Sequence, residues 1–192
     1  MSMWPFKPNP KRPAEGQVTI KKRRTQIVPQ QICRWFVSES VLRATETMMQ
    51  RFADEERECY VWWSGSFDCH GNAQILTALG AEIPTSFGRV ELIHNSLLKL
   101  HENLRALDQV LLVELHTHPP GAGGQNSVDA AHPAATYRGF ISIVVPNFCR
   151  NGLKLEESHV YEYMARNEWR QLRTSEVRNC FVVEPNFVSV EL

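Results

Sequence analysis

No apolar run in this chain approaches the roughly 18 residues that a membrane-spanning helix needs. The amino-terminus carries positive charge, but no apolar stretch follows it, so a secretory leader is not expected. Cysteine is scarce and unpaired in pattern: five residues (Cys33, Cys59, Cys69, Cys149, Cys180), an odd number with no Cys-x-x-Cys spacing. This argues against a disulfide scaffold and against a cysteine-built zinc site, so reduced thiols in the cytoplasm are the expectation. No repeat is visible. What remains is the profile of a globular chain of 192 residues, 43% apolar and 22% charged, enough for one domain with a sizeable core.

The formal net charge of zero conceals an asymmetry. Residues 1–24 hold seven basic side chains (Lys7, Lys11, Arg12, Lys21, Lys22, Arg23, Arg24) against Glu15 alone, leaving 14 basic and 20 acidic residues elsewhere, a net of −6. Four prolines between Pro5 and Pro13 argue against regular structure there. We therefore expect a basic, proline-rich arm over residues 1–30 and a folded domain over 31–192. The arm suits nucleic acid or an acidic protein face, and equally a solvated tail. A nucleic-acid partner is not expected, because no groove-reading helix or stacking motif accompanies the basic residues.

Alternation in "QVTIKKRRTQIV" allows an edge strand. "CRWFVSES" reads as a strand running into a helix cap at Ser38 or Ser40, and helical spacing continues from Val41 to about Glu56. "ECYVWWSGSF" (Glu58–Phe67) reads as a buried strand, with "NAQILTAL" its partner across a turn at Cys69–Asn72. Spacing of three and four predicts a second helix over Arg89–Leu107. Gln109–Leu115 and Phe140–Pro146 are apolar strands, and "HVYEYMARNEWRQL" predicts a hairpin. The fold class expected is α/β or α+β: a mixed sheet flanked by helices in a single domain.

The strand Gln109–Leu115 delivers "HTHPPGAGGQNSVDAAHP". Residues i and i+2 on a strand share a face, so His116 and His118 aim into one volume. Asp129 can return to them across a loop containing Gly121, Gly123 and Gly124. Two imidazoles and a carboxylate are a common zinc ligand set, and three protein ligands leave a fourth position for water. Zinc acidifies such a water and polarises a carbonyl. A bare His-x-His is also an ordinary pair of strand-end histidines, and spacing alone does not choose. Hydrolysis needs a general base as well. Glu58 is preferred, since packing poorly explains an acid at the start of a buried strand. Glu114 is the competitor, facing the histidines if strand alternation holds, while Glu55 and Glu56 read as a solvated helix end. His70 beside Cys69 is better explained by a turn than by a thiol nucleophile, and His132 by capping or lining the loop. Trp62 and Trp63 read as core, and Cys59 and Cys149 as small hydrophobes.

"ELHTHP" followed by Asp129 resembles the H-[ST]-H-P-x(n)-S-x-x-D motif of the JAB/JAMM metallopeptidases. The upstream Glu58, seven positions before Gly65, fits the same pattern, and the resemblance runs from about Cys33 to Leu172. It implies one Zn²⁺ per chain held by His116, His118 and Asp129, with Glu58 as acid/base and Thr117 in the Ser/Thr slot. Two positions depart from the pattern. Asn126 stands where the family has its oxyanion serine, with Ser127 beside it, and an amide NH₂ is a competent donor in that role. Val61 replaces a glycine of the first strand, which implies tighter packing near the site.

The resemblance further implies a cytoplasmic isopeptidase or peptidase cleaving after the C-terminal glycine of a ubiquitin-like protein, with ubiquitin-like conjugation enzymes as associates. Processing of a sulfur-carrier tail is the alternative within the same chemistry. A metal-free binding scaffold is a third reading, opposed by the intact Glu58, His116, His118 and Asp129.

Overall fold

The computed structural model describes residues 28–29, 31–80 and 94–185. The basic arm expected over residues 1–30 and the edge strand within it lie outside the described residues, apart from Val28 and Pro29.

A short strand β1 (Trp35–Ser38) leads into helix α1 (Glu39–Ala53). Ser38 caps that helix, its hydroxyl accepting from the Val41 N–H at 3.3 Å, which is one of the two caps expected. The helix ends three residues before the expected Glu56. Glu56 takes a left-handed φ of 52°, and Arg57 N–H reaches back to the Phe52 carbonyl at 3.1 Å, a turn that closes the last carbonyls.

Strands β2 (Tyr60–Phe67) and β3 (Ala73–Gly80) pair antiparallel across the expected turn. Asp68 shapes that turn, accepting from the His70 and Asn72 backbone N–H groups at 2.8 Å each, so His70 and Cys69 belong to it. A register shift follows Ser64, and a Cβ at Gly65 would collide with the Gln74 carbonyl oxygen; only glycine fits. The described part of the second helix, α2, runs His94–Leu107, and β4 (Val110–Thr117) follows it.

A five-residue helix α3 (Ser127–Ala131) interrupts what the sequence suggested was a plain loop. Then come β5 (Ile141–Val145) and the hairpin β6 (His159–Ala165) and β7 (Glu168–Gln171). Arg166 and Asn167 turn the hairpin, both with positive φ (50° and 62°) as a primed turn requires. Helix α4 (Thr174–Cys180) and strand β8 (Phe181–Glu184) close the described chain and were not anticipated. Both are short, and neither shows a clear periodicity of its own.

The described residues form one eight-stranded mixed sheet, in the order β7-β6-β5-β4-β2-β3-β1-β8, and the fold is α+β as expected. β2 lies antiparallel to β4, and β4 parallel to β5. Each sheet face carries its own core. On one face α1 contributes Val41 and Met49 against Val61, Trp63, Val113, Leu115 and Ile143. On the other, Leu100 and Leu104 of α2 pack with Tyr60, Trp62 and Phe140. Trp62 and Trp63 are both buried, as read from the sequence, but on opposite faces. Trp63 satisfies its indole N–H on the Thr45 hydroxyl at 2.7 Å. Cys59 and Cys149 are buried free thiols, and burial pushes each up to about 12.

Candidate metal centre

The register of β2 on β4 decides what surrounds the histidines. Tyr60 pairs with His116 and Trp62 with Glu114, so these four side chains share the α2 face. Val61 pairs with Leu115 and points to the α1 face. Val61 therefore packs in the opposite core and does not tighten the site as its place in the sequence pattern implied.

His116 is the next-to-last residue of β4 and His118 lies just past the strand's end, both buried. Their Nε2 atoms lie 3.1 Å apart. Asp129 Oδ2 completes the triangle at 3.5 Å from His116 Nε2 and 3.4 Å from His118 Nε2. One ligand atom from each residue falls within 4.8 Å of the others, making this a group able to hold a metal ion. Spacing in the sequence left open an ordinary pair of strand-end histidines; burial and convergence favour the ligand reading.

The orientation of each donor has a local cause. His118 Nδ1 faces the Gly123 carbonyl at 3.1 Å, so a proton on Nδ1 leaves the Nε2 lone pair free. His116 Nδ1 has no protein partner among the described residues. Its ring is instead held by stacking on Tyr60, with centroids 5.0 Å and planes 7° apart. Asp129 is the third residue of α3 and forms a capping box with Asn126. Asn126 Oδ1 accepts from the Val128 and Asp129 N–H groups at 2.7 and 3.0 Å, while Asn126 N–H donates to Asp129 Oδ2 at 2.8 Å. His132 supplies the C-cap, as one of its readings anticipated.

The loop between the ligands is fastened to β6. Gln125 N–H donates to the Tyr161 hydroxyl at 3.1 Å, and a Cβ at Gly124 would strike that hydroxyl. That contact fixes the Gly123 carbonyl on which His118 depends.

Glu58 lies two residues before β2, outside the strand it was expected to begin, and is half-buried. Burial raises its pKa, while His118 and then His116 pull it down and Asp129 pushes it up, which places its carboxyl within the field of all three. Its neighbour is locked to the histidine motif: Cys59 N–H donates to Thr117 Oγ1 at 2.9 Å, and Thr117 N–H donates to the Cys59 carbonyl at 3.1 Å. Burial also opposes ionisation of Asp129, but the contacts from His116 and His118 prevail and hold its carboxyl well below the usual range. His118 shows the reciprocal balance: burial lowers its pKa, and Asp129 with the Gly123 carbonyl raises it further than burial lowers it.

Strand alternation does hold through Leu115, so Glu114 faces the same way as His116. It does not compete as a ligand. Its side chain is 1% exposed, accepts from the Ala134 N–H at 2.9 Å, and is pushed by burial up to about 7. Ser127 is exposed at the start of α3, and Asn126 is exposed beside it. Sequence reasoning missed Tyr60, Tyr161 and the use of Thr117, because each acts through a partner at least 36 residues away.

A two-histidine, one-carboxylate group whose two Nε2 atoms converge with Asp129 Oδ2 fits a divalent ion such as zinc.

The chain matches no family model. Over 62 residues, 32% of this chain, it is 34% identical to a protein of Sinorhizobium fredii named "Probable metalloprotease y4jG". That stretch spans 38% of the relative's length. The fold is similar to the solution structure of protein DSY2949 from Desulfitobacterium hafniense, with a TM-score of 0.58 at 8% identity over 79% of this chain and 94% of that one. No described helix is long and apolar enough to cross a membrane. The chain thus joins a His116–His118–Asp129 group able to bind a metal to a partial likeness to a protein named as a metalloprotease.

Proposed function

We propose that this protein is a zinc metallopeptidase of the JAMM type that cleaves after the C-terminal glycine of a ubiquitin-like protein. The observation that carries the reading is the convergence of His116, His118 and Asp129 beside the half-buried Glu58. The partial likeness to a metalloprotease supports hydrolysis. The substrate class rests on the motif resemblance.

His116, His118 and Asp129 would hold the zinc, which when bound acidifies a water molecule and polarises the scissile carbonyl. Glu58 accepts a proton on its carboxylate and returns it to the leaving amine, the task of a general acid–base group beside the ligands. Asn126 commits Oδ1 to capping α3, and Nδ2 is the atom left to donate to a developing oxyanion. Ser127 offers a hydroxyl one residue further on, at the exposed end of the helix. The conjugation enzymes of such a pathway are the partners this activity implies.

The test is cleavage of a ubiquitin-like protein extended beyond its terminal glycine, or joined through it to a lysine, with products identified by mass. The expected result is a zinc-dependent cut after the glycine that Glu58→Gln abolishes. Cleavage confined to a free sulfur-carrier tail would move the substrate class. Full metal loading with no cleavage of either would favour a binding scaffold.

A further inference from the structure

The segment leading to Glu58 and the turn that bonds the His118 backbone are joined by a side chain outside the motif, Arg150. Arg150 Nη2 donates to the Ala53 carbonyl, the end of α1, at 2.8 Å, and lies 3.5 Å from Glu56 Oε1. Its guanidinium sits over the Phe148 ring, 5.5 Å from the centroid. Phe148 N–H in turn donates to the His118 carbonyl at 2.8 Å, while His118 N–H donates to Val145 at 2.9 Å. Asn147, Phe148 and Cys149 all take left-handed φ values (53°, 52° and 62°), a conformation that side-chain-bearing residues hold only when their surroundings enforce it. That enforcement comes from α1: Gln50 Nε2 donates to the Cys149 carbonyl at 3.4 Å, and Leu153 N–H donates to Glu46 at 3.1 Å.

We propose that Arg150 is a positioning residue that, beside the Cys59–Thr117 pair, holds the segment leading to Glu58 against the turn that carries the ligand His118. It grips the exit of α1 on one side and the His118-bearing turn on the other. Its Nη2 makes both polar contacts, and the flat cation stacks on Phe148 as a lysine does not. This rests on the proposed peptidase chemistry for its kinetic consequence, and on the geometry alone for its structural one.

The experiment uses the full chain with Arg150→Met and Arg150→Lys, read by hydrogen exchange and by turnover. Exchange of the amides at 54–59 should rise about tenfold or more in Arg150→Met, with residues 39–50 unchanged. Turnover should fall about tenfold or more, with KM and bound zinc unchanged and partial recovery on adding free guanidinium. Arg150→Lys should fall between, keeping a hydrogen bond to Ala53 but not the stack. Unchanged exchange at 54–59 overturns the proposal, as does exchange rising uniformly through α1 and β2 with zinc lost in step, which marks a stability role only. Absence of peptidase turnover in the wild type defeats the proposed function and leaves the exchange result to decide Arg150.

Discussion

Cys59 and Thr117 exchange two hydrogen bonds, Cys59 N–H to Thr117 Oγ1 at 2.9 Å and Thr117 N–H to the Cys59 carbonyl at 3.1 Å. The residue between the two histidines therefore holds the residue next to Glu58, and ligands and base move as one unit. Thr117→Val keeps the shape but leaves a buried N–H without an acceptor, at a cost of about 1–3 kcal/mol. We expect a lower melting temperature and much reduced turnover with zinc content retained, and near wild-type behaviour for Thr117→Ser. Wild-type turnover in Thr117→Val would show that Glu58 is placed by other contacts.

Purified protein should carry one zinc, and removing it with a chelator should lower the melting temperature, because a ligand that binds only the folded state stabilises it. His118→Ala should abolish loading. Elemental analysis finding zinc unchanged in that variant would defeat the ligand assignment.

Glu58→Gln removes proton transfer without touching a ligand. Turnover should fall by about 10²–10⁴-fold, with zinc content unchanged. A wild-type rate would make Glu114 the next residue to test.

Asn126 now carries two expectations. Its side chain caps α3 and steadies Asp129, so Asn126→Ala should weaken metal retention as well as slow cleavage, with a helix-cap cost of about 0.5–2 kcal/mol. Asn126→Ser restores both a cap acceptor and a donor and should retain much activity, and Ser127→Ala should be mild. A crippling Ser127→Ala beside a silent Asn126→Ala would transfer the oxyanion role to Ser127.

The buried Glu114 titrates near 7 against 4.5 in an open chain, chiefly because burial disfavours its charge. The folded state therefore holds this proton more tightly than the unfolded state. The stability it brings is full below 4.5 and is lost as pH rises through 7. The loss is of the order of 3 kcal/mol, from 1.36 kcal/mol per pKa unit. Glu114→Gln keeps an acceptor for the Ala134 N–H and carries no charge. Denaturant titrations of metal-free protein should show its stability gain over wild type growing between pH 4.5 and 7. A constant difference across that window would mean that Glu114 is already ionised in the fold.

Much of this was legible in the sequence because it was written in local periodicity. Strand alternation aimed His116 and His118 to one side, and three-and-four spacing marked α1 and α2. The Arg166–Asn167 turn also announced its hairpin. The short helix α3 escaped because five residues between glycines and a proline carry no period, yet its capping box is what presents Asp129. Register settled the rest. Whether Tyr60 or Val61 faces His116 depends on a one-residue choice in how β2 meets β4, and that choice puts the stacking ring on the site and Val61 in the opposite core. The sequence alone determined which side chains can bind a metal. The pairing of strands distant in the chain decided which residues hold them still, because those contacts are made across the sheet and leave no pattern along it.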